Sequence, residues 1–127
     1  MMRLPIQVRY NDYDERGHVN NAVYLTYFEV GRAALWHGLG GDAVVGFILA
    51  QATVNYRSPA RLGDPLVLEI ALGGVRTKSW IWRYRVLDER DDRLVADGET
   101  VQVAYDYLAQ RSVAVTDELR RRLEGKQ

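Results

Sequence analysis

The chain has 127 residues, 47% of them hydrophobic, and its 17 basic and 17 acidic side chains cancel to zero net charge. That is enough chain for a single domain, 1–127, with its own core. The balanced charge excludes the basic stripe of a nucleic-acid binder. The absence of cysteine excludes disulfide scaffolds, thiol nucleophiles and zinc–thiolate sites.

In chain order, Ile6, Val8 and Tyr10 alternate with Gln7 and Arg9, the period of a strand. A polar loop follows over Asn11–Asn20, dense in Asn, Asp and Gly. A long helix is predicted from Asn21 to His37. At ~100° per residue, Val23, Tyr24, Tyr27, Val30, Gly31, Ala34 and Leu35 share one face; Asn21, Thr26, Glu29, Arg32 and His37 share the other, interrupted by Leu25 and Trp36. Such an apolar helix is covered by protein over most of its surface. Gly31 costs about 1 kcal/mol of helix propensity, which implies a close approach to a sheet. Gly38, Gly40 and Gly41 supply its stop.

The rest reads as strands. Ile48, Ala50, Ala52, Val54 and Tyr56 alternate with Leu49, Gln51, Thr53 and Asn55. Leu66, Leu68, Ile70 and Leu72 form a second such set, and Trp80, Trp82, Tyr84 and Val86 a third. Val95, Val101, Val103 and Tyr105 define a fourth, diluted by Asp97 and Glu99 on the same side. Ser58-Pro59, Gly63-Asp64-Pro65, Gly73-Gly74 and Asp91-Asp92 are the turn signals between them. A short strand over Ser112–Val115 precedes a final helix capped by Thr116, with Asp117 and Glu118 in its first turn. The basic run Arg120–Arg122 complements that helix's dipole. One helix against a long antiparallel sheet is an α+β arrangement. One helix covers only one face of the sheet, so at least a homodimer is expected.

No run nears the ~18 apolar residues of a membrane span, and Met1–Tyr10 lacks the features of a signal peptide. A soluble, cytoplasmic protein without membrane or nucleic-acid partners is the expectation.

The chemistry concentrates in the loop before the helix. Asp12, Asp14, Glu15, His18, Asn20 and Asn21 lie together there. The following helix aims its first backbone N–H groups back at them, where negative charge is favoured. An oxyanion is stabilised in such a place, and a nearby carboxylate is a candidate base or nucleophile. On residue type alone, either aspartate serves equally as a loop acid that satisfies N–H groups. Gly17 reads as a turn glycine, His18 as a hydrogen-bonded loop histidine, and Asn20 or Asn21 as the helix N-cap. Asp12-x-Asp14-x-Arg16-Gly17 resembles the start of a calcium loop, but Arg16 and Val23 fall where oxygen ligands are needed. Asp12, Asp14 and His18 are too unspecific a set to imply a metal.

The stretch Val8-Arg9-Tyr10-Asn11-Asp12-Tyr13-Asp14-Glu15-Arg16-Gly17-His18-Val19-Asn20-Asn21, followed by Tyr24 and Tyr27-Phe28-Glu29, resembles the signature of the 4-hydroxybenzoyl-CoA thioesterase family of hotdog proteins. Val54-Asn55-Tyr56-Arg57-Ser58-Pro59-Ala60-Arg61-Leu62-Gly63-Asp64 is similar to a later strand and turn of that family. The resemblance spans roughly residues 4 to 107. It implies a hotdog fold, a long central helix wrapped by a curved antiparallel sheet of about five strands, assembled as a dimer or tetramer with active sites between subunits. It also implies hydrolysis of an acyl-CoA thioester to free acid and CoA without a metal or other cofactor. By the same resemblance Asp14 is the catalytic carboxylate, with His18, Asn20 and Asn21 around it and backbone N–H groups near Asn20 and Asn21 polarising the carbonyl. Arg76-Thr77-Lys78-Ser79 resembles the family's CoA-holding turn, so Arg76, Lys78 and Ser79 are candidate CoA ligands, with Arg57 and Arg61 as further phosphate candidates. Gly17, Tyr24, Phe28 and Tyr56 complete the expected substrate-binding set. Two rival readings stand beside hydrolysis: a hotdog hydratase or dehydratase using Asp14 and His18, and a non-catalytic acyl-CoA-binding module.

Overall fold

The structure is a computed structural model and describes residues 1–41 and 45–125. The element order is β1 (Met2–Pro5), a 3-10 turn (Tyr10–Asp12), α1 (Val23–Leu39), β2 (Gly46–Tyr56), β3 (Leu66–Val75), β4 (Ser79–Asp88), β5 (Arg93–Asp106), β6 (Arg111–Ser112) and α2 (Asp117–Glu124). The strands form one open antiparallel sheet in the order β1-β3-β4-β5-β2, and β6 adds a short pairing to β5. The long helix with the sheet curved around it is the hotdog arrangement; the sheet has six strands where about five were expected. No helix among the described residues is long and apolar enough to cross a membrane.

α1 is built to lie close to the sheet. An added Cβ on Gly31 would collide with Leu68 Cδ2, and one on Gly98 would collide with the Thr53 carbonyl and lie 2.9 Å from Phe28 Cε2. Phe28 therefore beds down over Gly98 and stacks on Tyr84, with ring centroids 4.3 Å apart. Further along the helix, Trp36 stacks on Trp80 at 5.4 Å. These large rings turn the helix by about one position from the expected face. Arg32 and Trp36 are buried, whereas Val30 is 57% exposed. Expected to be covered over most of its surface, α1 instead leaves its outer stripe (Leu25, Thr26, Glu29, Val30 and Ala33) open in a single chain.

The inner face of β4 is as expected: Trp80, Trp82, Tyr84 and Val86 are all essentially inaccessible. β5 is inverted. Ala96, Thr100, Gln102 and Ala104 are buried, while Val101, Val103 and Tyr105 are only half-buried. The helix side of β5 needs small residues and a polar chain instead of bulk. There the Tyr84 hydroxyl pairs with Thr100 Oγ1 at 2.6 Å, Thr100 donates to Gln102, and the Gln102 amide donates to the Trp80 carbonyl at 3.2 Å. β2 changes phase at a bulge between Leu49 and Gln51. Phe47, which meets Trp36, and Leu49 therefore join Ala52 and Tyr56 on the helix side, and Ile48 leaves it.

The first strand lies earlier than its alternation indicated. Met2–Pro5 pairs with β3, and Ile6 still donates to the Leu66 carbonyl at 2.9 Å. Beyond it the Asp12 carboxylate bends the chain back onto Arg9. Gly73-Gly74 is a bulge inside β3 rather than a turn, and the reversal falls at residues 76–78. The final strand is two residues long rather than Ser112–Val115. α2 starts at the expected Thr116 cap, whose hydroxyl accepts from Leu119 N at 3.1 Å. Leu119 and Leu123 bury their side chains in the core. Arg122 reaches over to donate to the Leu39 and Gly40 carbonyls, closing the C-terminal end of α1.

Candidate active site

Two aspartates two residues apart are used in opposite ways. Asp12 is 1% exposed. Its carboxylate accepts from Arg9 N at 2.9 Å, from the Arg9 guanidinium at 3.1 and 3.2 Å, and from the Tyr27 hydroxyl at 2.9 Å. Burial alone would raise its pKa, but these donors outweigh it and hold the group below the usual carboxylate range. Burial and the same contact push the Tyr27 phenol upward, so it stays a donor. Asp12 thus ties the loop to α1.

Asp14 faces the solvent side. Its Oδ1 accepts from Arg16 N at 2.8 Å and His18 N at 3.1 Å. No hydrogen bond to its Oδ2 occurs among the described residues, so that oxygen is free to meet water or a carbonyl carbon. The backbone bonds from His18 and then Arg16 lower its pKa, so Asp14 is ionised at neutral pH. The loop around it is a narrow hairpin. Asp14 N donates to the His18 carbonyl at 2.7 Å, and Gly17 turns the chain at φ 75°, as its residue type implied. Val19 N to the Ala60 carbonyl (2.8 Å) and Leu62 N to the Gly17 carbonyl (3.0 Å) fasten this hairpin to the segment after β2.

Asn20 opens the helix. Its Oδ1 accepts from Ala22 N at 3.0 Å and its carbonyl from Val23 N at 3.0 Å. The N-cap itself is Ala22, which carries no side-chain cap, so neither Asn20 nor Asn21 takes the expected N-cap position; Asn20 instead braces the turn just ahead of the helix, which begins at Val23. The Asn21 N–H has no hydrogen-bond acceptor among the described residues. The Asn21 carbonyl is held by the Tyr56 hydroxyl at 2.9 Å, and the Tyr56 ring meets Tyr24 edge-on at 5.7 Å. Burial, then the neighbouring Tyr56, pushes the Tyr24 phenol up to about 12, so it stays protonated.

These parts enclose a cleft of about 540 Å³. Asp14, His18, Asn21, Tyr24, Tyr56 and Arg57 line it, which brings together the loop, the helix start and the end of β2. Arg16 and Ser58 also line it and were not singled out from the sequence, although both lie inside the stretches that carry the family resemblance. Other expected residues fall elsewhere. Phe28 does not line the cleft, because it is sealed in the core between Gly98 and Tyr84. Asn20 and Gly17 shape the loop rather than the cleft wall. Arg57 is spent on Asp97, with two contacts of 3.2 Å. Arg61 lies in an adjoining recess of about 440 Å³ with Asp64, Arg90 and Arg93. Arg76, Lys78 and Ser79 are not at the cleft of their own chain. Ser79 pairs with Val103, toward the far end of β5, whereas Arg57 is tied to Val95 near its start. Among the described residues no group of three or more His, Asp or Glu is arranged to hold a metal.

Comparison with known proteins gives the family of the chain. Residues 8–123 match the model of the thioesterase-like superfamily. The chain is 34% identical to the long-chain acyl-CoA thioesterase FadM of Escherichia coli K12, covering 97% of each. Among solved structures it superposes on YbaW, a probable thioesterase from Escherichia coli, with a TM-score of 0.84 and 32% identity, covering 98% of this chain and 97% of that one. It also superposes on a Thermus thermophilus thioesterase complexed with coenzyme A and Zn, with a TM-score of 0.86 and 28% identity, covering 97% and 92%. The chain belongs to the thioesterase-like superfamily.

Proposed function

We propose that this protein hydrolyses an acyl-CoA thioester to the free acid and CoA, with Asp14 as general base or nucleophile. The observation that carries the reading is the pairing, in one cleft, of an ionised carboxylate with an unoccupied oxygen and the unpaired Asn21 N–H at the start of α1. The thioester carbonyl oxygen takes the Asn21 N–H and gains from the helix dipole as it becomes an oxyanion. Asp14 then either draws a proton from water, which attacks the carbonyl carbon, or attacks that carbon itself to give a mixed anhydride that water cleaves. Either route expels the CoA thiolate. His18 sits on the same hairpin and lines the same cleft, where it can assist the departing sulfur.

The working unit is a homo-oligomer. β2 is a sheet edge eleven residues long and almost wholly exposed, including Ile48 and Leu49, and such an edge invites pairing. Antiparallel pairing of β2 with its copy sets the Gly46 end of one chain beside the Tyr56 end of the other. The second copy's Arg76–Ser79 turn then comes to the end of the sheet that holds Asp14. CoA phosphates bound between chains in this way make use of Arg76, Lys78 and Ser79, with Arg61 from the first chain, since Arg57 is held by Asp97.

Thiol release from a panel of acyl-CoAs, with and without Asp14→Asn, tests the chemistry. Release lost in the variant supports hydrolysis. Alkene hydration without thiol, or tight CoA binding with neither reaction, overturns it in favour of a hydratase or a binding module. Light scattering is expected to give at least two 14.5 kDa chains per particle; a monomer alone refutes the shared site.

A further inference from the structure

The turn between β3 and β4 is closed by one bond of its own, from Arg76 N to the Ser79 carbonyl at 2.7 Å. The carbonyls within it are all held from outside the hairpin. The Arg76 carbonyl accepts from the Arg120 guanidinium of α2 at 3.3 Å. The Thr77 carbonyl accepts from Val115 N at 2.8 Å, and the Lys78 carbonyl from Ala104 N at 2.9 Å. The peptide bonds are trans, and in a planar trans peptide the C=O and the N–H point in opposite directions. Drawing the Arg76 and Thr77 carbonyls toward the C-terminal segment therefore turns the Thr77 and Lys78 N–H groups away from it. Both residues are exposed, and neither N–H has a hydrogen-bond acceptor among the described residues. The cations beside them are also unspent. Arg83 and Arg85 of β4 are paired with Glu99 and Glu69, whereas Arg76 and Lys78 have no carboxylate partner among the described residues. Two successive N–H groups on a turn, flanked by an unpaired arginine and lysine, make an anion site.

We propose that the C-terminal segment is a positioning element for this turn: Arg120, through the Arg76 carbonyl, aims the turn's N–H groups at a phosphate of CoA, and so makes the protein prefer acyl-CoA to the same thioester of pantetheine. The proposal rests on the thioesterase reading above and deepens it by giving α2 a part in the choice of thiol carrier. Arg120 is a positioning residue that acts through the turn. Its side chain is 38% exposed, and its ion-pair partner Glu124 lies 3.9 Å away, so little else in the fold depends on it. Val115 is buried and acts through its backbone N–H, which leaves Arg120 as the half of the clamp that a substitution can remove. Without it the peptide between Arg76 and Thr77 is free to rotate, and the Thr77 N–H loses its aim. One hydrogen bond to a charged group is worth about tenfold or more in affinity.

The test uses the full-length protein. CoA binding is read by calorimetry at near-physiological salt, and one acyl group is offered as its CoA thioester and as its pantetheine thioester, read as kcat and KM. Arg120→Ala is expected to weaken CoA binding about tenfold and to raise KM for the CoA thioester by a similar factor at unchanged kcat. Both constants for the pantetheine thioester should stay at the wild-type value. Arg120→Lys keeps a donor on a flexible chain and is expected to recover most of the loss. Arg121→Ala removes the same charge from the next position of α2. Arg121 is exposed and makes no side-chain hydrogen bond among the described residues, so CoA affinity should change less than about twofold at a salt concentration that screens distant charges. Equal weakening by Arg120→Ala and Arg121→Ala would reduce the effect to long-range charge and overturn the assignment. So would a loss shared by the CoA and pantetheine thioesters, the mark of general damage that a thermal melt reports directly. Unchanged CoA affinity in Arg120→Ala, or no CoA binding by the wild type, overturns it as well. Calorimetry with CoA needs no turnover, so an affinity that depends on Arg120 without thiol release keeps the turn assigned and fails only the hydrolytic reading.

Discussion

Asn substitution at Asp12 and at Asp14 should produce opposite phenotypes, although the two residues are only two apart. At Asp12 the change removes the charge that holds Arg9 and leaves one oxygen to serve both Arg9 N and Tyr27. Hydrogen bonds to a charged group are each worth about 1.5–3 kcal/mol, and a buried donor left without its partner costs a similar amount. Allowing for the exposed Arg9 side chain, a net loss of about 2 kcal/mol is reasonable for Asp12→Asn. For a chain of this size that lowers Tm by roughly 8 °C. Asp14→Asn keeps an amide oxygen where Oδ1 accepts from Arg16 N and His18 N, so the hairpin persists and Tm should barely move. It removes the base or nucleophile, however, and kcat/KM should fall by ~10²–10⁴. Differential scanning calorimetry and thiol release, run on both variants, give a two-by-two result. Were Asp12→Asn inactive at unchanged Tm while Asp14→Asn kept full turnover, the roles assigned here would be reversed and the site reasoning refuted.

Three more expectations concern pH and packing. Backbone donors hold Asp14 below the ordinary carboxylate value of 3.8, and on the proposed mechanism the ionised form is the reactive one. Activity should therefore stay level from neutrality down to about pH 4 and fall only below it. The folded pKa of Asp12 is also depressed, and so is that of Asp88, whose carboxylate accepts from the Arg90 guanidinium and Arg90 N, so their stabilisation is complete above the unfolded value and lost as pH falls through the folded one. An acid limb near pH 6 in a kcat/KM profile would contradict the choice of Asp14. At the glycines, Gly98→Val should cost about 3 kcal/mol in urea unfolding, because the obstacle is the Thr53 backbone carbonyl. Gly31→Ala meets only the end of the Leu68 side chain, and helix propensity returns about 1 kcal/mol, so it should be close to neutral; equal losses at the two positions would refute the distinction.

What could be read from the sequence was what short-range order decides. Trp80, Trp82, Tyr84 and Val86 form the inner face of β4 because nothing interrupts their alternation. The β2 pattern misled because one extra residue at the bulge near Ala50 exchanges the faces, and a bulge leaves no mark in hydrophobicity. β5 misled because its helix side is defined by what Phe28 needs, a glycine, and by a polar chain reaching Tyr84 and the Trp80 carbonyl. Neither requirement is visible without the partner element. Tyr24 and Tyr56, 32 positions apart, do meet at the cleft as the resemblance implied. Arg76, Lys78 and Ser79 do not meet Asp14 within one chain, because strand register carries their turn toward the far end of the sheet.

The same contrast explains why the loop motif is so compact. The buried contacts of Asp12 bind the loop to α1 through Tyr27, and Asn20 N donates back to the Asp12 carbonyl at 2.8 Å. With that anchor fixed, Tyr13 bridges to Val19, and the backbone at residue 14 can only present its side chain on the other side of the chain. Gly17 then closes the turn that lets Arg16 N and His18 N converge on a single oxygen of Asp14. Every one of these constraints acts between residues fewer than sixteen positions apart. An ionised carboxylate poised near a helix start can therefore be specified by one continuous stretch of sequence, whereas on the proposed reading the surface that grips the rest of the substrate has to be assembled from distant strands and from a second chain.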